Sequence, residues 1–96
     1  MIIETPYKQN DTITVKTVTG EELVCRFVEE TDSHLTIEKP LALTATQEGM
    51  GLVPYAFTIH KDAKIKLNKS AVTFAHKTEE SMAKSYIEST SGIKLS

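Results

Sequence analysis

Thr12-Ile13-Thr14-Val15-Lys16-Thr17-Val18-Thr19-Gly20-Glu21-Glu22-Leu23-Val24-Cys25-Arg26-Phe27 is the stretch that decides the fold. Its first half is β-branched and alternates, with Ile13 and Val15 on one side of an extended chain. Its second half alternates again, with Leu23, Cys25 and Phe27 on one side and Glu22 and Arg26 on the other. Between them Thr19-Gly20-Glu21 reads as a turn, because glycine enters positive φ without a steric penalty. Two such runs joined by a short turn predict an antiparallel pair with one buried face.

The same signal continues outward. Glu22–Glu30 is read as the whole second strand, and Glu30-Thr31-Asp32-Ser33 as a polar break. His34–Thr46 is a third strand, with Leu35, Ile37, Leu41, Leu43 and Ala45 sharing parity. Pro40 has no ladder donor, so an edge, a bulge or a bend is expected there. Gln47-Glu48-Gly49-Met50-Gly51 reads as a flexible loop. Alternation resumes over 53–60 through Val53, Tyr55, Phe57 and Ile59, and again over Lys64–Asn68 through Ile65 and Leu67. Asn68-Lys69-Ser70 is a tight turn. Residues 71–76 form a last short strand, with Val72 and Phe74 expected inward.

After that strand the period changes. Thr78 precedes Glu79 and Glu80, which predicts a capped helix start over roughly 79–90. Met82, Ala83, Tyr86 and Ile87 fall on one helical face, and Gly92 is the expected stop. The fold class read from the chain is mainly β. About five short strands within 12–76 predict a small barrel of SH3-like type with a C-terminal α-helix. Phe27, Leu35, Ile37, Ile65, Leu67 and Val72 are its expected core.

Composition narrows the class. Ninety-six residues fit one domain, and 40% apolar content is ordinary globular usage. The net charge of −2 and pI near 5.9 argue against a coat for duplex DNA. Charge is unevenly placed, however. Residues 21–38 hold six acids against Arg26 alone, net −5, and residues 60–77 hold five lysines against Asp62 alone, net +4. Such a split predicts either two faces of opposite sign, suited to head-to-tail self-association, or simply solvated strand faces. A lone cysteine, Cys25, points to a reducing compartment. With neither a basic-apolar leader nor an 18-residue apolar run, a soluble cytoplasmic protein without membrane contact is expected.

Catalytic constellations are missing from the pattern. Cys25 falls in an inward row and reads as a small core hydrophobe. His34, His60 and His76 lack metal-ligand spacing, and Gly49-Met50-Gly51 is too short for a phosphate loop. A non-enzymatic protein needing neither cofactor nor metal is expected.

The strand-and-turn order resembles that of Sm-like (LSm, Hfq-related) proteins over about residues 12–76. Val15-Lys16-Thr17-Val18-Thr19-Gly20 corresponds to the first strand and turn of the first Sm motif, and Leu23, Cys25 and Phe27 to its second strand. Cys25 stands where the family usually has glycine. Asp32-Ser33-His34-Leu35-Thr36-Ile37 resembles the family's Asp-to-Asn turn, with Thr36 in place of Asn. Ile65-Lys66-Leu67-Asn68-Lys69-Ser70-Ala71-Val72-Thr73-Phe74 resembles the second motif, with Asn68-Lys69 where Arg-Gly is typical. The likeness is greatest to divergent, short members of phage or marine bacterial origin. The helix departs from the pattern, since in the family it precedes the barrel.

The resemblance implies a homo-oligomeric ring that binds single-stranded RNA, or single-stranded DNA, near its pore. It assigns base stacking to His34, phosphate contact to Lys69, and shaping of the pocket to Asp32, Thr36 and Asn68. Each residue also has a plainer reading. Asp32 and Asn68 are natural turn residues, Thr36 is a β-former, and His34 is a polar strand start. The alternative function is an oligomeric protein-binding or structural phage module that leaves nucleic acid alone. The acidic balance and the missing Asn favour that alternative; His34 and Lys69 favour RNA.

Overall fold

In the computed structural model, which describes residues 7–60 and 62–91, the expected alternation becomes β1 (Thr12–Thr17) and β2 (Glu22–Glu30). They pair antiparallel, with Ile13 opposite Cys25 and Val15 opposite Leu23. Gly20 takes φ +104° in the turn between them. The inward row of Ile13, Val15, Leu23, Cys25 and Phe27 forms a core with Leu35, Ile37 and Tyr7. Phe27 meets Tyr7 edge-to-face with ring centroids 4.7 Å apart, a geometry that aromatic quadrupoles favour.

Strand β3 (His34–Thr46) pairs with β2 along one edge and with two further strands along the other. Its first half pairs with β5 (Lys64–Asn68), and its second half pairs with β4 (Gly49–Pro54). The halves meet at Lys39-Pro40, where Lys39 sits at φ +49°. A left-handed residue followed by a ring without an N–H is a physical hinge in a ladder. The irregularity expected at Pro40, an edge, a bulge or a bend, takes the form of a left-handed Lys39 and a change of pairing partner. A one-turn 3-10 helix (Lys69–Ala71) joins β5 to β6 (Val72–Lys77), and β6 pairs with β1.

The strand order is β4-β3-β2-β1-β6, with β5 on β3. Among the described residues no ladder joins β5 to β6, so the antiparallel sheet of six strands is open along that seam. Closure into a barrel is thus not seen in the ladder. Ile65, Leu67 and Val72, expected in the centre, pack only partly buried at the core margin.

Three expectations need correction. Gln47-Glu48 form a two-residue hairpin turn, with Gly49 at φ +115°, and Gly49-Met50-Gly51 are strand rather than loop. Residues 55–60 are not strand, and Tyr55, Phe57 and Ile59 are exposed. Their alternation has no core to face. Phe74 is 50% exposed, because the β1–β6 register shifts between Lys16 and Thr17. That bulge turns Val72 and Ala75 inward and Phe74 out, as one extra residue reverses side-chain parity.

Helix α1 (Glu80–Thr90) packs over β1 and β2. Its N-cap is Glu79, whose carboxylate accepts from the Ser81 and Met82 amides, rather than Thr78. Thr78 instead shares a hydroxyl bond with Thr14 at 2.9 Å. On the expected apolar face Tyr86 is 2% exposed, but Ile87 is exposed. Gly92 lies outside the described residues. No helix is long and apolar enough to cross a membrane.

Candidate functional site

The turn after β2 and the 3-10 helix after β5 lie side by side, because β3 and β5 pair with His34 directly opposite Asn68. Each turn is built by short-range bonds. The Thr31 amide donates to the His34 carbonyl at 2.9 Å, and the His34 amide donates to Thr31 Oγ1 at 3.1 Å. Asn68 Oδ1 accepts from the Ser70 amide at 3.0 Å and caps the 3-10 helix. The Lys69 amide donates to the Ser33 carbonyl at 2.9 Å and ties the two turns together.

Four of the five expected site residues therefore share one rim. His34 is half-buried, its Nδ1 2.8 Å from Ser33 Oγ. Asp32 and Asn68 are exposed. The turn is braced by Thr31 and Ser33. Thr36 is different. It lies 4% exposed between Glu29 and Lys66 in the ladder, so its hydroxyl is not presented to a ligand at the rim.

Lys69 has an acidic partner that sequence reading missed. Its Nζ lies 2.7 Å from Glu30 Oε2, while the Tyr7 hydroxyl donates to Glu30 Oε1 at 3.0 Å. The Lys69 contact, helped by Tyr7, holds the Glu30 carboxyl below its ordinary value. Burial, and then the bond to Glu30, pushes the Tyr7 phenol up to about 12. Tyr7, Glu30 and Lys69 line a cavity of about 210 Å³ that reaches Leu35, Val72 and Ala75 beside the open seam. The sequence signal for this trio was only the sign of the two charged stretches.

Part of that charge split is paired inside the subunit. Besides Lys69–Glu30, Arg26 Nη2 approaches Glu38 Oε1 at 3.0 Å and Lys64 Nζ approaches Glu38 Oε2 at 4.0 Å. Acids of β2 and β3 meet lysines of β5 and the 3-10 helix, because the strands that carry them are neighbours.

Cys25 is fully buried, and burial pushes its thiol up to about 12, so it is held as the unreactive thiol. Among the described residues no group of three or more His, Cys, Asp or Glu is arranged to hold a metal. No protein-family model matches the chain, and no curated protein matches it in sequence.

Proposed function

We propose that this protein is a non-enzymatic, ring-forming module of Sm-like type that binds single-stranded RNA at the His34–Asn68 rim. The carrying observation is the juxtaposition of the two turns: His34 opposite Asn68, with Asp32 exposed and Lys69 one residue away. Unpaired bases stack on imidazole and aromatic rings for about 1–3 kcal/mol each. Asn68 and Asp32 supply polar groups for a base edge. The open seam supports the assembly half of the reading. Among the described residues β5 and β6 each pair on one side only, and an unpaired edge is a template for another chain. In this reading the barrel is completed by the 3-10 connection, and β5 of one subunit adds to β6 of the next. Such a heterologous contact closes into a ring when the rotation per subunit permits.

The reading gives Lys69 a conditional role. A phosphate reaching it must displace Glu30, so Lys69 acts as a gated cation rather than a preformed anion site.

Fluorescence polarisation with U-rich and A-rich oligonucleotides over a salt series tests the proposal. His34→Ala is expected to weaken binding by about 1–3 kcal/mol per stacked base with the salt slope nearly kept. Lys69→Ala is expected to lower that slope by about 0.7 per contact, as for single strands. Unchanged affinity in both variants, in assemblies of unchanged size, moves the assignment to the protein-binding alternative. One observation favours that alternative: the β3–β4 ribbon presents Leu41, Leu43, Ala45, Met50, Leu52 and Pro54 in cross-strand pairs along one face.

A further inference from the structure

At the opposite end of β5 from the rim, a cavity of about 370 Å³ opens beneath the segment that follows β4. Its walls include Pro40, Pro54 and Ile59, rigid or branched apolar groups that suit a flat ring. Lys39 and Asp62 also line it, together with His60, whose Nδ1 lies 4.0 Å from Asp62 Oδ2, and Thr90 at the end of α1. Lys39 Nζ reaches the Thr90 carbonyl at 3.5 Å and Asp62 Oδ1 at 3.9 Å. Both separations are at or beyond the limit of a direct hydrogen bond, and an ammonium carries three donors. Lys39 therefore retains capacity for an acceptor placed in the groove. The Asp62 amide donates to His60 Nδ1 at 3.1 Å, which fixes the local chain.

The charges decide the ligand class. One cation beside one anion gives no net charge, so an isolated phosphate or carboxylate gains at Lys39 what it loses at Asp62. A neutral group with an acceptor next to a donor meets both: its carbonyl accepts a hydrogen bond from the Lys39 ammonium and its N–H donates to Asp62. Apolar walls with a few convergent polar groups are the usual form of a small-ligand site. We infer that this groove is a second base-binding site, taking the lactam edge of a uracil or guanine. Phe57, on the same segment, is 81% exposed and offers a face on which a neighbouring base stacks. This inference rests on the reading of the chain as a single-strand binder, but its residues are separate from the rim.

The test titrates uridine and N3-methyluridine into the full-length, isotope-labelled protein and follows backbone amide shifts. Uridine is expected to move amides around Lys39, Pro54 to His60, and Thr90. N3-methyluridine, which lacks the ring N–H, is expected to bind about tenfold more weakly or worse. Asp62→Ala, at an exposed position whose carboxylate makes long contacts to Lys39 at 3.9 Å and His60 at 4.0 Å, should weaken uridine to a similar degree. His34→Ala should leave these shifts intact. Loss of oligonucleotide binding in His34→Ala with the groove shifts retained supports both sites. Uridine affinity unchanged by Asp62→Ala, or equal binding of the two nucleosides, overturns the groove assignment whatever the rim does. Absence of uridine shifts at millimolar concentration overturns it as well.

Discussion

At the scale of single residues, burial and pairing separate the side chains that hold the fold from those left for function. Phe27 belongs to the first group: it is buried and braced by Tyr7. Phe27→Ala should cost about 3–5 kcal/mol, since a large cavity opens in a small core. Denaturant melts that show less than about 1 kcal/mol would place Phe27 at the periphery. Glu30 illustrates linkage to pH. Its folded-state carboxyl is held below its ordinary value, chiefly by Lys69. The stability it contributes is therefore present above that ordinary value and lost as pH falls through the depressed one. Glu30→Gln should flatten the acid limb of the stability curve in thermal melts. The same substitution releases Lys69, so oligonucleotide affinity should rise rather than fall; a decrease would show that Glu30 itself takes part in binding.

At the scale of elements, the decisive contact is that of helix α1 on the bend in β3. Buried Tyr86 donates to the Lys39 carbonyl at 2.7 Å and approaches the Glu38 carbonyl at 3.3 Å. Lys39 falls between the registers of the ladder, and the phenol gives its carbonyl a donor. Tyr86→Phe should cost on the order of 1–3 kcal/mol, the penalty for a buried acceptor left unmade. Hydrogen exchange should rise across Leu41 to Pro54, the ribbon beyond the bend; unchanged exchange there would show that Pro40 alone sets the bend. Much of this architecture was legible in sequence. Ile13, Val15, Leu23 and Phe27 reported a one-sided strand pair directly, and Pro40 reported an irregularity in β3. Three features were not legible. The Phe74 reversal depends on a bulge that leaves no mark in the alternation. Gly49 and Gly51 carry loop composition into a strand, because Gly49 supplies a turn's positive φ. Tyr55, Phe57 and Ile59 alternate without a core. The rim was legible as two turns, but Lys69–Glu30 was not, since only the pairing of β3 with β5 brings the 3-10 helix toward the end of β2.

At the scale of the whole molecule, the open seam governs behaviour. Partly buried Ile65, Leu67 and Val72 line the core margin where the described sheet stops. Unpaired strand edges and half-covered apolar side chains favour association, and the exposed Phe74 on β6 adds to that tendency. The ion pairs of Lys69, Arg26 and Lys64 are formed within the subunit, so assembly should depend on backbone pairing and apolar contact more than on charge. The oligomer is accordingly expected to persist at high salt, while oligonucleotide binding weakens there. Dissociation of the assembly by salt alone would return the intermolecular role to the acidic and basic stretches. The most direct measurement is multi-angle light scattering on the full chain across micromolar concentrations. A ring closed through the seam is expected to run as one species of roughly five to seven subunits. A mass that stays at the 10.6 kDa of a single chain would contradict it.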